Sequence, residues 1–282
     1  MPGYNSNTKI KLGIVTVSLN QAAFLQEAID SVTVSTAARL RYVMVDPGSR
    51  DGSREIIENN RGLFTKVIFE KDRGPADGLN KGFAACDADV FGYLNSDDRF
   101  TPGALDFVAG YFARNSEIDL LLGAIRIIDR NAKPALRGRA PDRIDIPKFV
   151  AGACFAWQQA TFFRRSLFER TGGFNPENRA CWDGELILDM AIAGARIGYT
   201  NTILGDFRIH GDSLTGSGRQ AEGEKPEILR FKQKATAAGY KLLSPQKEMR
   251  ERFKYKYNPL RHLRCAAGIA LPPLIADSIQ SK

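Results

Sequence analysis

Leu12-Gly13-Ile14-Val15-Thr16-Val17-Ser18-Leu19-Asn20 begins as an uncharged, β-branched run and ends on polar side chains. Such a run forms a strand buried on both faces. Ala22 to Val34 follows, with apolar residues at Phe24, Leu25, Ala28, Ile29 and Val32, the spacing of one helix face. The alternation then repeats. Leu40 to Val45 reads as a strand and Ser53 to Asn60 as a helix; Val67-Ile68-Phe69 reads as a strand and Pro75 to Ala85 as a helix; Val90 to Leu94 reads as a fourth strand. A β-α-β-α-β-α-β order predicts an α/β fold, a mostly parallel sheet flanked by helices.

Beyond residue 100 the pattern loosens. Thr101-Pro102 marks the start of a helix over Ala104 to Asn115, with Thr101 as its cap. Leu120 to Ile128 reads as a strand, the Arg-, Pro- and Asp-rich 129–149 as a loop, and Trp182 to Ala193 as a helix. Arg196 to Leu204 reads as a strand and Gly205 to Gly218 as a polar loop, and helical spacing returns over Glu224 to Ala238 and from Pro245 to about Tyr257. This divides the chain into a domain over 1–220 and a basic helical extension over 221–282.

The 282 residues are long enough to bury a large core, and 43% apolar with 26% charged residues is ordinary for a globular protein. The net charge of +8 is uneven: residues 241–282 hold nine Lys/Arg against three Asp/Glu, a net +6, which leaves +2 for the first 240. A nucleic-acid binder would place its basic patch on the folded body, so no nucleic-acid partner is expected. A basic tail instead fits an anionic membrane surface, with Arg250, Arg252, Lys254, Lys256, Arg261 and Arg264 interleaved with Phe253, Tyr255, Tyr257 and Leu260. The polar first eleven residues lack the apolar core of a signal peptide, and no run reaches the ~18 apolar residues of a membrane span. The expected location is therefore cytoplasmic, peripheral on the inner membrane face through the tail. Cys86, Cys154, Cys181 and Cys265 lie far apart, which argues against a zinc site or a disulfide framework.

In open parallel sheets, ligands collect beyond the carboxyl ends of the strands. Each of the first four predicted strands ends there in a polar cluster: Ser18-Leu19-Asn20, Asp46 to Ser53, Asp72 to Asp77, and Asn95-Ser96-Asp97-Asp98. Local structure accounts for some of these residues. Asn20 suits a cap for the first helix, and Asp51 or Ser53 a cap for the second. Asp46 closes an apolar strand and can accept hydrogen bonds from a ligand. Asp97 and Asp98 are adjacent like charges at a strand tip, and Thr101 already serves as the helix cap. A divalent cation relieves that repulsion, and an oxygen-rich site favours Mg²⁺ or Mn²⁺ held together with substrate phosphates. The absence of GxxxxGK[ST], and of GxGxxG after the first strand, argues against a P-loop or a dinucleotide-binding site.

These segments resemble the family 2 glycosyltransferases, inverting enzymes of the GT-A fold, a Rossmann-type architecture. The resemblance runs over roughly residues 9 to 215, through Leu12 to Asn20, Val43 to Ser53, Asp72 to Gly82, Leu94 to Asp98, Trp157 to Arg165 and Gly172-Gly173-Phe174. It implies transfer of a sugar from a nucleotide-diphosphate donor, a UDP-sugar, to an acceptor hydroxyl on a carbohydrate or a lipid-linked carrier, in polysaccharide or glycolipid synthesis. Asp46 would hold the base, with Thr16, Ser18 and Asn20 lining its pocket. Asp77 and Lys81 would lie near the sugar or diphosphate. Asp98 would ligate the metal, Asp97 would contact ribose or sugar, and His210 would reach the metal or diphosphate. Asp183 would be the catalytic base, with Glu185 as its substitute. Trp157, Gln158 and Gln159 would line the acceptor side. Trp182, Pro47 and Gly78 depart from the residues common in the family. A nucleotidyltransferase would need a Gly-rich basic loop after the first strand, where Ser18-Leu19-Asn20-Gln21-Ala22 stands. A non-catalytic nucleotide-sugar-binding protein is the third reading; it predicts binding without turnover.

Overall fold

A computed structural model describes residues 10–35, 39–211 and 219–257. The alternation predicted for the first hundred residues is present: β1 (Leu12–Val17), α1 (Ala22–Thr33), β2 (Leu40–Val45), α2 (Ser53–Asn59), β3 (Lys66–Ile68), α3 (Pro75–Ala84) and β4 (Val90–Asn95). β1 runs parallel between β2 and β4, with Val17 level with both Val45 and Asn95. β3 runs parallel outside β2. The four polar termini therefore leave the sheet along one edge.

The carboxyl half departs from a parallel sheet. It adds β5 (Arg99–Phe100), α4 (Ala104–Arg114), β6 (Leu120–Ile128), β7 (Pro134–Arg139), α5 (Ile146–Val150), β8 (Thr161–Arg164), α6 (Arg165–Arg170), α7 (Trp182–Ile192) and β9 (Ile197–Arg208). Strand order is β3-β2-β1-β4-β8-β6-β9-β5, with β7 pairing β6. β8 lies antiparallel to both β4 and β6, and only β6 with β9 restores parallel pairing. The sheet is mixed because the short antiparallel strand β8 joins its two parallel portions and β5 and β7 add antiparallel pairs to β9 and β6.

Several expectations from the sequence need correction. Residues 129–149 contain β7 and α5 as well as loop. β7 takes up the edge of β6 at Ile125–Ile128, beyond the stretch Leu120–Leu122 that pairs with β8. Asp145 caps α5 by accepting from the Lys148 N–H. β8, α6 and the carboxyl end of β9 also lie outside the predicted elements. Thr101 does not cap α4; its hydroxyl donates to the Ile203 carbonyl, and Gly103 occupies the cap position in the left-handed region at φ 77°.

Two apolar layers cover the sheet. Ile14, Leu25, Ile29, Tyr42, Met44, Leu94, Val108 and Phe112 are buried on one face. On the other, Phe83, Phe91, Tyr93, Phe163, Phe168, Phe174 and Trp182 form an aromatic cluster, in which Phe91 and Phe168 meet edge to face at 5.8 Å. Two further helices follow, α8 (Arg219–Ala237) and α9 (Pro245–Lys256). Phe231 and Ala235 of α8 pack on Ile146, Val150 and Leu188. Among the described residues no helix is long and apolar enough to cross a membrane. Cys86 and Cys154 are buried free thiols, and burial pushes them up to about 11 and about 12.

Candidate active site

The tips of β1 and β2 are fastened together by side chains. Asn20 sits in the left-handed region at φ 53°; its N–H donates to Ser49 Oγ, and its Oδ1 accepts from the Arg50 N–H. It ties two loops and does not cap α1. That cap comes from across the gap: Asp51 Oδ2 accepts from the Ala22 N–H and Ser53 Oγ from the Gln21 N–H. Thr16 is turned into the core, where its Oγ1 accepts from the Tyr42 hydroxyl at 3.1 Å.

Asp46 has no exposed surface. Its Oδ1 accepts from the N–H groups of Gly48 and Ser49 at 2.9 and 2.8 Å and from Arg54 Nε at 3.1 Å. The Arg54 guanidinium also stacks 4.6 Å from the Phe69 ring. Asp46 Oδ2 and Ser18 Oγ are buried without a hydrogen-bond partner. A buried polar atom left open costs about 1–3 kcal/mol, a cost that a bound ligand removes.

After β3, Asp72 Oδ1 accepts from the Gly74 N–H and Asp77 Oδ2 from the Arg73 N–H. Lys81 Nζ lies 3.7 Å from Asp77. A Cβ at Gly78 would fall 2.7 Å from Asp72 Oδ2, so alanine there would displace that carboxylate.

At the tip of β4 the two aspartates differ. Asp98 is buried; its Oδ2 accepts from Gln159 Nε2 at 2.7 Å and its Oδ1 from the Arg208 N–H at 2.8 Å. Burial, then the neighbouring Asp97 carboxylate, push Asp98 well above the usual carboxylate range, against the pull of Gln159 and Arg208. Asp97 keeps some exposure and places Oδ2 3.2 Å from His210 Nε2. The sequence reading gave the metal to Asp98, whereas the structure engages both Asp98 oxygens internally and sets Asp97 beside His210. Gln159, read as acceptor-side, buttresses Asp98. It reaches that position because Gly205 of β9 has no Cβ, which would meet the Gln159 carbonyl at 2.6 Å.

Arg208 was missed as a functional residue. It is fully buried under the β4 tip; Nε donates to the Asp97 carbonyl at 2.7 Å, Nη1 to the Arg130 carbonyl at 2.9 Å and Nη2 to Glu27 at 2.7 Å. The available signal was the period of two in Asp206, Arg208 and His210, which puts three polar groups on one side of a strand end. Asp206 is equally committed, accepting from both Arg126 and Arg99.

On the other side of β4, Gln158 Nε2 donates to the Tyr93 carbonyl at 2.9 Å, while Gln158 Oε1 and the Tyr93 hydroxyl are buried without partners. The first turn of α7 packs there, with the Trp182 ring 5.7 Å from Tyr93. Burial pushes the adjacent Asp183 carboxyl up, against hydrogen bonds from the backbone N–H groups of Gly184 and Asp183 itself. A raised pKa makes a carboxylate a better proton acceptor near neutral pH. Glu185 is different: it is buried and accepts from Asn175, Asn178, Arg230 and Lys234. Burial raises it, but Lys234, Asn175 and Asn178 outweigh that and hold it below its ordinary value. With both oxygens engaged, Glu185 is a fastening between α7 and α8, not a substitute base. Trp157 stays partly exposed, its Nε1 donating to the Ala140 carbonyl and Arg139 lying 5.6 Å over its ring.

Residues 13–172 match the family described as Glycosyl transferase family 2. The chain belongs to that family. An uncharacterized glycosyltransferase of Nostoc sp. is 28% identical over 227 residues, which cover 77% of this chain and 70% of the relative. A PGL/p-HBAD biosynthesis glycosyltransferase of Mycobacterium bovis is 30% identical over 176 residues, 60% of this chain and 66% of the relative. Among solved structures, Staphylococcus aureus TarS 1–349 in complex with UDP-GlcNAc superposes with a TM-score of 0.65 at 14% identity, over 91% of this chain and 74% of that one. The Pyrobaculum calidifontis mannosyltransferase PcManGT, in complex with GDP-Man and Mn²⁺, gives 0.60 at 16% identity, over 94% and 76%. The fold of this glycosyltransferase is thus GT-A-like.

Proposed function

We propose that this family 2 glycosyltransferase takes a UDP-sugar and transfers the sugar, with inversion, to an acceptor hydroxyl on a carbohydrate or lipid-linked carrier. The observation that carries the donor reading is the pair of open, buried oxygens at the tips of β1 and β2, Ser18 Oγ and Asp46 Oδ2. Asp46 Oδ2 is an acceptor waiting for an N–H, which a uracil ring supplies. Solved structures of the same fold hold UDP-GlcNAc in one case and GDP-Man with Mn²⁺ in another.

Among the described residues no group of three or more His, Cys, Asp and Glu side chains forms a ready-made metal cage. Mg²⁺ and Mn²⁺ are commonly held by one or two carboxylates together with substrate phosphates. The two neighbouring carboxylates and the imidazole at the β4 tip suit such an ion. Asp97 and His210 would hold it, with Asp98 fixed behind them, and it would neutralise charge on the departing diphosphate. The protein's own part in the reaction is proton management and placement. Asp183 accepts the acceptor hydroxyl proton as the new glycosidic bond forms and the bond to the diphosphate breaks. Gln158 Oε1 and the Tyr93 hydroxyl, open beside it, are suited to orient that hydroxyl.

Thermal shift with UDP, GDP and their sugars, with and without Mn²⁺, tests the donor. Ligand at a hundred times its Kd raises stability by about 2.7 kcal/mol. The expected result is a Mn²⁺-dependent shift with UDP that Asp97→Ala removes. A larger shift with GDP would refute the uridine assignment, and a shift without sugar transfer to any acceptor would leave a nucleotide-sugar-binding protein.

A further inference from the structure

α9 separates its charges by face. Glu248 pairs with Lys232 of α8 at 2.7 Å, and the half-buried Glu251 lies between Lys254 of its own helix at 2.6 Å and Lys148 of α5 at 3.8 Å. Tyr255 packs on Phe155 with ring centroids 4.7 Å apart, and Arg252 Nε donates to the Ala151 carbonyl. On a helix these inward residues lie on one side. The opposite side carries Met249, Phe253 and Tyr257, which are 69%, 63% and 56% exposed and spaced four residues apart. The Phe253 and Tyr257 rings meet at 4.5 Å, tilted by 41°. The exposed Lys247, Arg250, Lys254 and Lys256 flank them. The outward surface is therefore apolar in its middle and cationic around it, with Lys254 also paired to the half-buried Glu251.

We propose that this outer face of α9 docks the enzyme on an anionic lipid surface. Interfacial attachment needs two contributions on one face, apolar side chains that enter the headgroup region and cations that attract acidic lipid. Both are present here. The choice of lipid over nucleic acid rests on the apolar side chains, because phosphate-backbone binding needs the cations alone. The residues beyond α9 add to the same sign of charge, since 257–282 hold three Lys/Arg against one Asp, a net +2. The helix is also anchored near the proposed acceptor side: Phe155, which receives Tyr255, stands two residues before Trp157. A docked α9 thus brings that segment toward the membrane, where a lipid-linked acceptor would be presented. The docking face itself does not depend on the donor reading.

The test is co-sedimentation of the full chain with vesicles of phosphatidylcholine alone or with about 30 mol% phosphatidylglycerol, at about 0.1 and about 0.5 M salt. Binding to the anionic vesicles only, weakened by salt, is expected. Met249→Ser with Phe253→Ser, and separately Arg250→Glu with Lys254→Glu, should each lower partitioning by about tenfold or more. Circular dichroism and the UDP thermal shift should be unchanged in both. Failure to bind anionic vesicles overturns the proposal, as does undiminished binding by the two variants. So does tighter, salt-sensitive capture of duplex DNA or RNA, or a lipid-free dimer that Phe253→Ser abolishes. Loss of the UDP shift in the unaltered protein would overturn the donor reading and leave the vesicle result standing.

Discussion

Asp46 at the tip of β2 and Glu185 at the α7–α8 junction are both carboxylates with no exposed surface. Their surroundings are otherwise opposite. Every oxygen of Glu185 meets a donor, two of them cationic, and the group holds two helices together. Asp46 uses one oxygen to shape its turn and leaves the other open. Burial alone therefore does not separate the fastening acid from the one proposed to bind a ligand. The two differ in how many of their lone pairs are satisfied, and an unfilled one calls for an explanation of its own.

That contrast can be broken experimentally, with effects of decreasing size. Asp183→Asn should lower transfer by about 10²–10⁴-fold, the usual worth of a general base, while the UDP-induced thermal shift remains. Because burial holds the Asp183 pKa above its ordinary value, the charged form is disfavoured in the fold. Removing the charge at pH 7 should therefore leave the melting temperature unchanged or higher. Asp97→Ala should lower turnover by about 10²–10³-fold through lost stabilisation of developing charge, measured as product formed per minute with Mn²⁺ present.

Glu185→Ala should act on stability instead. Loss of about 2–3 kcal/mol in urea unfolding is expected, less than for a fully buried pair because Arg230 and Lys234 keep access to water. Activity per folded molecule should persist. The sign with pH follows from the depressed pKa of Glu185. Its stabilisation is complete above the ordinary value of 4.5 and disappears as pH falls through the lower folded value. The gap between wild type and variant should therefore narrow in acid. Asp46→Asn is the finest probe. Asparagine keeps an oxygen for Gly48 and Ser49 but replaces the open acceptor with a donor. UDP affinity should fall about tenfold by calorimetry, roughly one unfulfilled hydrogen bond, with the fold intact.

How much of this was legible beforehand follows from where each signal lies in the chain. β1 to β4 were readable because strands buried on both faces show as unbroken apolar runs, and their bounds nearly match the prediction. Asp46, Asp97 and Asp98 were readable as acids ending such runs. β7 was not, because Pro134-Ala135-Leu136-Arg137-Gly138-Arg139 has neither alternation nor a continuous apolar stretch and takes its conformation from the edge of β6. The roles of Gln159, Glu185 and Arg208 were hidden for a related reason. Each is defined by partners between 7 and 181 residues away, and no local pattern encodes which oxygen a side chain will meet.

Arg208 carries a consequence for how the site comes into being. Its guanidinium reaches the Asp97 carbonyl across 111 residues of sequence and Glu27 across 181. A nascent chain that has released only its first hundred residues already contains both aspartates of the β4 tip, but nothing that holds them. The arrangement of the β4 tip is therefore complete only when β9 pairs with β6 and carries Arg208 to the Asp97 carbonyl.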